Sequence, residues 1–103
     1  MLQAAASGLV FVERSGEDPP QVIGLHGWAR DRTDLLPALR EFSYASLDLP
    51  GFGHSPEPTS GIGSREYAER CRDAVVELTT EPAVLVGHSF GGRVAVCLAA
   101  RYP

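Results

Sequence analysis

The segment Gly87-His88-Ser89-Phe90-Gly91-Gly92 places one hydroxyl between glycines two positions away on either side, after the apolar run AVLV and before the run RVAVCLAA. A strand that becomes a helix within three residues drives the middle residue to positive φ and brings neighbouring backbone very close, so the flanking positions must lack side chains. Gly87 and Gly91 satisfy that requirement. The G-x-S-x-G spacing is that of a nucleophile elbow, with the serine Oγ exposed at the carboxyl end of a sheet. The elbow also lies at a helix N-terminus, where N–H groups and the positive dipole end favour a developing oxyanion. Such a hydroxyl could attack an acyl carbon. The same residues also fit a tight turn with an incidental serine. A phosphate cradle is the weaker reading, because the loop lacks the lysine of a P-loop.

The elements that must position this turn follow from the periodicity. GLVFVER, residues 8–14, is β-branched and aromatic and precedes the turn-forming SGEDPP, which reads as strand then loop. VIGLHG, residues 22–27, is apolar on both faces, as expected of a strand in a covered parallel sheet. In DLLPALREF, Asp34 is expected to cap a helix whose apolar stripe is Leu35, Leu36, Leu39 and Phe42, with Pro37 in its first turn. YASLDL, residues 44–49, reads as a strand ended by PGFGHSPEPTSGIG. Ser64 is the expected N-cap of a helix carrying Tyr67, Cys71, Ala74, Val75 and Leu78 at three-to-four spacing. AVLVG forms a fourth strand and residues 93–102 a last helix. This alternation implies an α/β fold, a parallel sheet with flanking helices and right-handed crossovers.

Composition narrows the function classes. The chain has 103 residues, enough for one domain at most, with 44% hydrophobic and 21% charged residues, as in an ordinary globular protein. Its net charge of -4 repels polyanions, so no nucleic-acid partner is expected. No apolar run approaches the ~20 residues of a membrane helix, and residues 1–10 do not read as a signal peptide, so neither membrane nor export is expected and the cytoplasm is the default. Cys71 and Cys97 then fit buried thiols better than a disulfide. The three histidines, His26, His54 and His88, fall at different strand ends without ligand spacing, and no metal or other cofactor is implied.

Two further segments join the elbow. LHGW, residues 25–28, ends the second strand, and DLPGFGHS, residues 48–55, ends the third. HGW, DLPGFGHS and GHSFGG, in that order and each at a strand end, resemble the α/β-hydrolase superfamily over residues 8–103. The resemblance implies that Ser89 is the nucleophile, forming an acyl-enzyme that water hydrolyses. It implies that the backbone N–H groups of Trp28 and Phe90 form the oxyanion hole, each worth about 10²- to 10³-fold in rate. It makes His26, Gly27, Asp48, Gly51, Gly53, Gly87, Gly91 and Gly92 structural members of the three motifs. His54 is also read as structural, and His88 as pointing away from the reaction. Serine rather than aspartate at position 89 makes the chain look more like the small carboxylesterases than like the haloalkane dehalogenases or epoxide hydrolases. A small acyl substrate is the implied partner.

The chain departs from the pattern in one respect. In the superfamily the triad acid and histidine follow the elbow, whereas no residue after Ser89 is Asp, Glu or His. The expectation is therefore the amino-terminal half of a hydrolase, or one component of a split one, with the acid and base supplied elsewhere. The outer edge of the elbow strand would then be open to self-association or to a complementing chain. The competing expectation is a non-catalytic α/β module that keeps the elbow because the fold needs the turn.

Overall fold

The computed structural model describes residues 1–58 and 61–101, apart from the side chain of Ser64. Five strands form one sheet: β1 (Leu2–Ala5), β2 (Val10–Ser15), β3 (Val22–Leu25), β4 (Tyr44–Asp48) and β5 (Val84–Gly87). Among the described residues three α-helices accompany them, α1 (Leu36–Leu39), α2 (Ser64–Leu78) and α3 (Phe90–Arg101), besides a short 3-10 turn at Ala6–Gly8. The spatial order is β1-β2-β4-β3-β5. β3 runs parallel to both β4 and β5, while β1 and β2 are antiparallel to their neighbours. The α/β class holds, and the purely parallel sheet expected from the sequence is corrected to a mixed one.

Side-chain alternation explains why the parallel strands are apolar throughout. Ile23, Leu25, Ala45, Leu47 and Leu85 face α2 and α3, whereas Val22, Tyr44 and Val86 face Leu35, Leu36 and Leu39 on the other side. On α2, Tyr67, Cys71, Ala74 and Leu78 fall on one stripe and are all buried, which supplies the packing that a 15-residue helix needs. Val94 and Leu98 of α3 complete the same layer. Burial of each such aliphatic side chain contributes about 1.5 to 3 kcal/mol.

Several local expectations change. Strand β1 was not expected from the sequence; it pairs Leu2 with Glu13 through to Ala5 with Val10, and β2 begins at Val10 rather than Gly8. The helix expected from Asp34 to Phe42 is only Leu36–Leu39, with Leu35 at its cap position and no side-chain cap. Phe42 is 47% exposed, off the buried stripe. Gly63, not Ser64, holds the cap position of α2, where Glu66 Oε2 accepts the Gly63 N–H at 3.0 Å. Helix α3 starts at Phe90, three residues before the expected start, so that its first turn includes the elbow glycines.

The register places three loops side by side. Leu25 pairs with Leu47 on β4 and with Gly87 on β5, so the parallel strands end level and their carboxyl ends emit HGW, DLPGFGHS and GHSFGG together. Beyond β5 the sheet has no further strand among the described residues.

Candidate active site

Ser89 has φ 55, in the left-handed region, and is exposed at the start of α3. For a residue with a β-carbon this conformation costs about 1 to 2 kcal/mol, and it persists because the surroundings leave no alternative. A β-carbon on Gly91 would collide with the carbonyl oxygens of Leu25 and His26, and one on Gly87 would come within 2.6 Å of Gly91 O and Gly92 N. The elbow thus lies directly on the loop after β3, and the chain has no room to relax. The Ser89 carbonyl accepts the Arg93 N–H at 3.2 Å, the first bond of α3, while the Gly91 N–H closes on His88 O at 2.9 Å. Gly92 follows in the first turn of the helix.

The loop after β3 is fixed by His26, which is 1% exposed. The Leu49 N–H donates to His26 Nε2 at 2.9 Å, which requires a lone pair there. The proton therefore sits on Nδ1, which donates to Gly27 O at 2.7 Å. Burial pushes the His26 pKa below its ordinary value, against the pull of that bond and of nearby carboxylates, and so favours this neutral tautomer. The acceptor is the carbonyl of the Gly27–Trp28 peptide, which also takes the Arg30 N–H at 3.1 Å. In a trans peptide the N–H points opposite to the C=O, so His26 and Arg30 set the direction of the Trp28 N–H. Accepting two bonds also polarises that amide and strengthens it as a donor. Neither the Trp28 N–H nor the Phe90 N–H donates a hydrogen bond among the described residues.

The Trp28 ring is 59% exposed and stands edge-on to Phe90 at 5.1 Å and to Phe52 at 5.0 Å between centroids; Tyr67 meets Phe90 at 5.1 Å. The residues carrying the two N–H groups thus pack on each other, in a geometry worth about 0.5 to 1.5 kcal/mol per aromatic pair.

The third loop is organised by Asp48, whose side chain is fully buried. Its carboxylate accepts the Arg32 N–H at 2.8 Å, Arg32 Nη1 at 3.1 Å and the His54 N–H at 2.9 Å. Ser55 Oγ donates to Asp48 O at 2.6 Å and accepts the Phe11 N–H at 2.9 Å. Gly51 and Gly53 take positive φ of 88 and 54 within the same turn. Asp48 and His54 therefore lie in the turn around residues 48–55, and the structure does not link either to Ser89.

Asp34 had been expected to cap a helix, and that is corrected. Its carboxylate accepts the Gly27 N–H at 3.1 Å, Arg30 Nε at 2.9 Å and His88 Nδ1 at 2.8 Å. Burial alone would raise the Asp34 pKa, but the bonds from Gly27 and His88 and the Arg30 charge outweigh it and hold the pKa below its ordinary value. The pairing of Asp34 with His88 lies 54 positions apart in sequence, and no local spacing announces it. Arg32, which joins Asp48 to Glu13 on β2, escaped sequence reasoning for the same reason. Among the described residues, no cluster of His, Cys, Asp and Glu could hold a metal ion, no helix is long and apolar enough to cross a membrane, and both cysteines are unbridged.

A serine at positive φ on a strand-to-helix turn, beside a His-Gly loop and over a level parallel sheet, defines the α/β-hydrolase class of site. The chain belongs to the alpha/beta hydrolase family, whose model matches residues 22–102. It is 35% identical over 100 residues to the pimeloyl-[acyl-carrier protein] methyl ester esterase of Shewanella woodyi, covering 94% of this chain and 36% of that protein. It is also 35% identical over 85 residues to a soluble epoxide hydrolase from Corynebacterium, covering 79% of this chain and 29% of that one. An esterase structure from Mycobacterium tuberculosis superposes with a TM-score of 0.86 at 29% identity, over the whole of this chain and 37% of that one. The chain thus spans between 29% and 37% of the length of these relatives.

Proposed function

We propose that the chain carries the nucleophile and oxyanion hole of a serine hydrolase that cleaves a small ester or thioester in the cytoplasm. The observation that carries this reading is an exposed, strained Ser89 on an elbow packed against the loop of Trp28, together with backbone N–H groups of Trp28 and Phe90 that donate to no acceptor among the described residues. Ser89 Oγ attacks the acyl carbon, the carbonyl oxygen takes negative charge in front of those N–H groups, and the alcohol or thiol leaves. Water then releases the acid from the acyl-enzyme. Overall likeness extends to an epoxide hydrolase, so residue 89 decides the branch: a serine forms an acyl ester that water can cleave.

The base lies outside the given 103 residues in this reading, since none after Ser89 is Asp, Glu or His. The His88 Nδ1 is engaged by Asp34, and no hydrogen bond joins His88 to the Ser89 hydroxyl among the described residues. Loss of triad members leaves only about 10³- to 10⁴-fold catalysis over water. The second reading, a non-catalytic α/β module, rests on the elbow glycines, whose close contacts with Leu25, His26 and Gly92 the turn needs whether or not Ser89 reacts.

An alkyl fluorophosphonate separates the two. Covalent mass gain at Ser89, abolished in Ser89→Ala, is expected for the hydrolase. No mass gain in a folded assembly that also supplies a triad acid and histidine would establish the module instead.

A further inference from the structure

The Asp34 carboxylate sits between the loop after β3 and the turn after β5, with only 5% of its side chain exposed. One oxygen, Oδ2, takes both the Gly27 N–H and the His88 Nδ1, while Oδ1 takes Arg30 Nε. Gly27 immediately precedes Trp28, and His88 immediately precedes Ser89. A single atom therefore joins the neighbour of one oxyanion donor to the neighbour of the nucleophile. We propose that Asp34 and His88 form a tether that fixes the Trp28 N–H relative to Ser89, and that both are positioning residues for acyl transfer at Ser89.

Three observations support the tether. An ionised carboxylate only accepts, so His88 Nδ1 carries the proton and donates it, and charge-assisted bonds of this kind are about twice as strong as neutral ones. The two segments are in contact, since a β-carbon on Gly27 would lie 3.0 Å from His88 Nδ1 and 3.4 Å from its carbonyl oxygen. A side chain at 27 would require His88 to give way by a few tenths of an ångström. Finally, the Gly27 residue is held at both ends: its N–H by Asp34, its carbonyl by His26 Nδ1 and the Arg30 N–H. Without Asp34 the carbonyl bonds still point the Trp28 N–H along one line, and among the described residues the elbow is then referred to that loop by backbone alone, through the bond from the His88 N–H to Leu25 O at 3.0 Å.

The role differs from that of a base. His88 is bonded through Nδ1 to Asp34, and its ring makes no bond to the Ser89 hydroxyl among the described residues, so its effect on the reaction passes through geometry. The inference rests on reading Ser89 as the nucleophile, and its test has one readout that does not.

The experiment uses the full chain with four substitutions. Asp34→Asn replaces the charged acceptor with a neutral amide whose NH₂ opposes either Arg30 Nε or both the Gly27 N–H and His88 Nδ1, so that in either orientation the charge assistance of the tether is lost. His88→Ala removes the donor from a side chain that is 55% exposed, and so tests the tether where Asp34→Asn fails to fold. His88→Asn keeps an N–H near the position of Nδ1, and Ser89→Ala gives the labelling blank. Residual dipolar couplings report the angle between the Trp28 and Phe90 N–H vectors. Phosphonylation of Ser89 by an alkyl fluorophosphonate, followed against reagent concentration, gives a maximal rate and a half-saturating concentration.

We expect Asp34→Asn and His88→Ala to tilt the Trp28 N–H and to lower the maximal rate roughly tenfold, part of the 10²- to 10³-fold carried by a whole donor, with unchanged half-saturation. His88→Asn restores both readouts. Unaltered N–H angles in His88→Ala overturn the proposal, as does a tilted N–H with an unaltered rate, or His88→Asn as impaired as His88→Ala. If the unsubstituted chain is never phosphonylated, even when a triad acid and histidine are supplied, the nucleophile reading fails. The angles alone then decide the tether, tilted in its favour and unaltered against it.

Discussion

The carboxyl end of the sheet and its β5 flank are built from the same strands to opposite standards. At the carboxyl end, Asp34, Asp48, His26 and Ser55 all have hydrogen-bond partners, and no buried side-chain N or O atom is left without one among the described residues. On the flank, Val76 and Val96, 51% and 69% exposed, line an open apolar groove of about 980 Å³ between α2, α3 and β5, and Val84 on the β5 edge is 62% exposed. Burying polar groups costs free energy unless each is paired, so the first surface is specified atom by atom. Exposed valines on a strand edge specify little and favour association. Full hydrogen bonding of the loops at the carboxyl end thus does not require a closed sheet.

The contrast yields graded expectations. The largest effect belongs to Gly91→Ala at the carboxyl end, where the new methyl group meets the carbonyl oxygens of Leu25 and His26. A loss above about 4 kcal/mol, enough to remove cooperative unfolding from a small domain, is expected in urea titrations followed by circular dichroism. A midpoint near that of the unsubstituted chain would show that the two loops can separate.

Acidification should act on the same end. The His26 pKa is lowered in the folded chain, so the unfolded chain binds more protons as pH falls through the ordinary value of 6.5. His26 therefore contributes stability that is present above pH 6.5 and lost as pH falls from there through its folded value. The slope from this one group is at most about 1.4 kcal/mol per pH unit. Asp34, also lowered, adds a further loss below the ordinary carboxylate range. Urea midpoints between pH 8 and pH 5 test the His26 part, and His26→Gln should flatten the decline. A midpoint constant across that range would mean that His26 is not held neutral.

The smallest effects should come from the flank. Val84→Thr and Val96→Ser each leave stability within about 0.5 kcal/mol, as for exposed positions in general. Val84→Lys is expected to lower any concentration-dependent association seen by sedimentation velocity, because a charge on an edge strand opposes pairing. Destabilisation by more than 1 kcal/mol in Val84→Thr would show that the flank is covered in solution.

How much of this was legible in the sequence depended on the range of the interaction. The elbow, HGW and DLPGFGHS could be read because each is a short contiguous run whose glycines answer a local steric demand, and the parallel strands because burial on both faces leaves unbroken apolar runs. Strand β1 could not, since LQAA carries no β-branched residue and exists by pairing with Val10–Glu13. Asp34 was misread for a physical reason: an aspartate ahead of leucines is a sound helix cap, and the competing partners, Gly27 and His88, come from other loops. Arg32 likewise gains its meaning only when β2 and β4 bring Glu13 and Asp48 to it.

The left-handed backbone of Ser89 makes the fold's thermodynamic optimum and its chemical use pull against each other. Glycine would sit there without penalty, so the easiest way for this bend to become more comfortable deletes the hydroxyl proposed to react. The bend is in that sense a loaded spring whose release and whose silence are the same event.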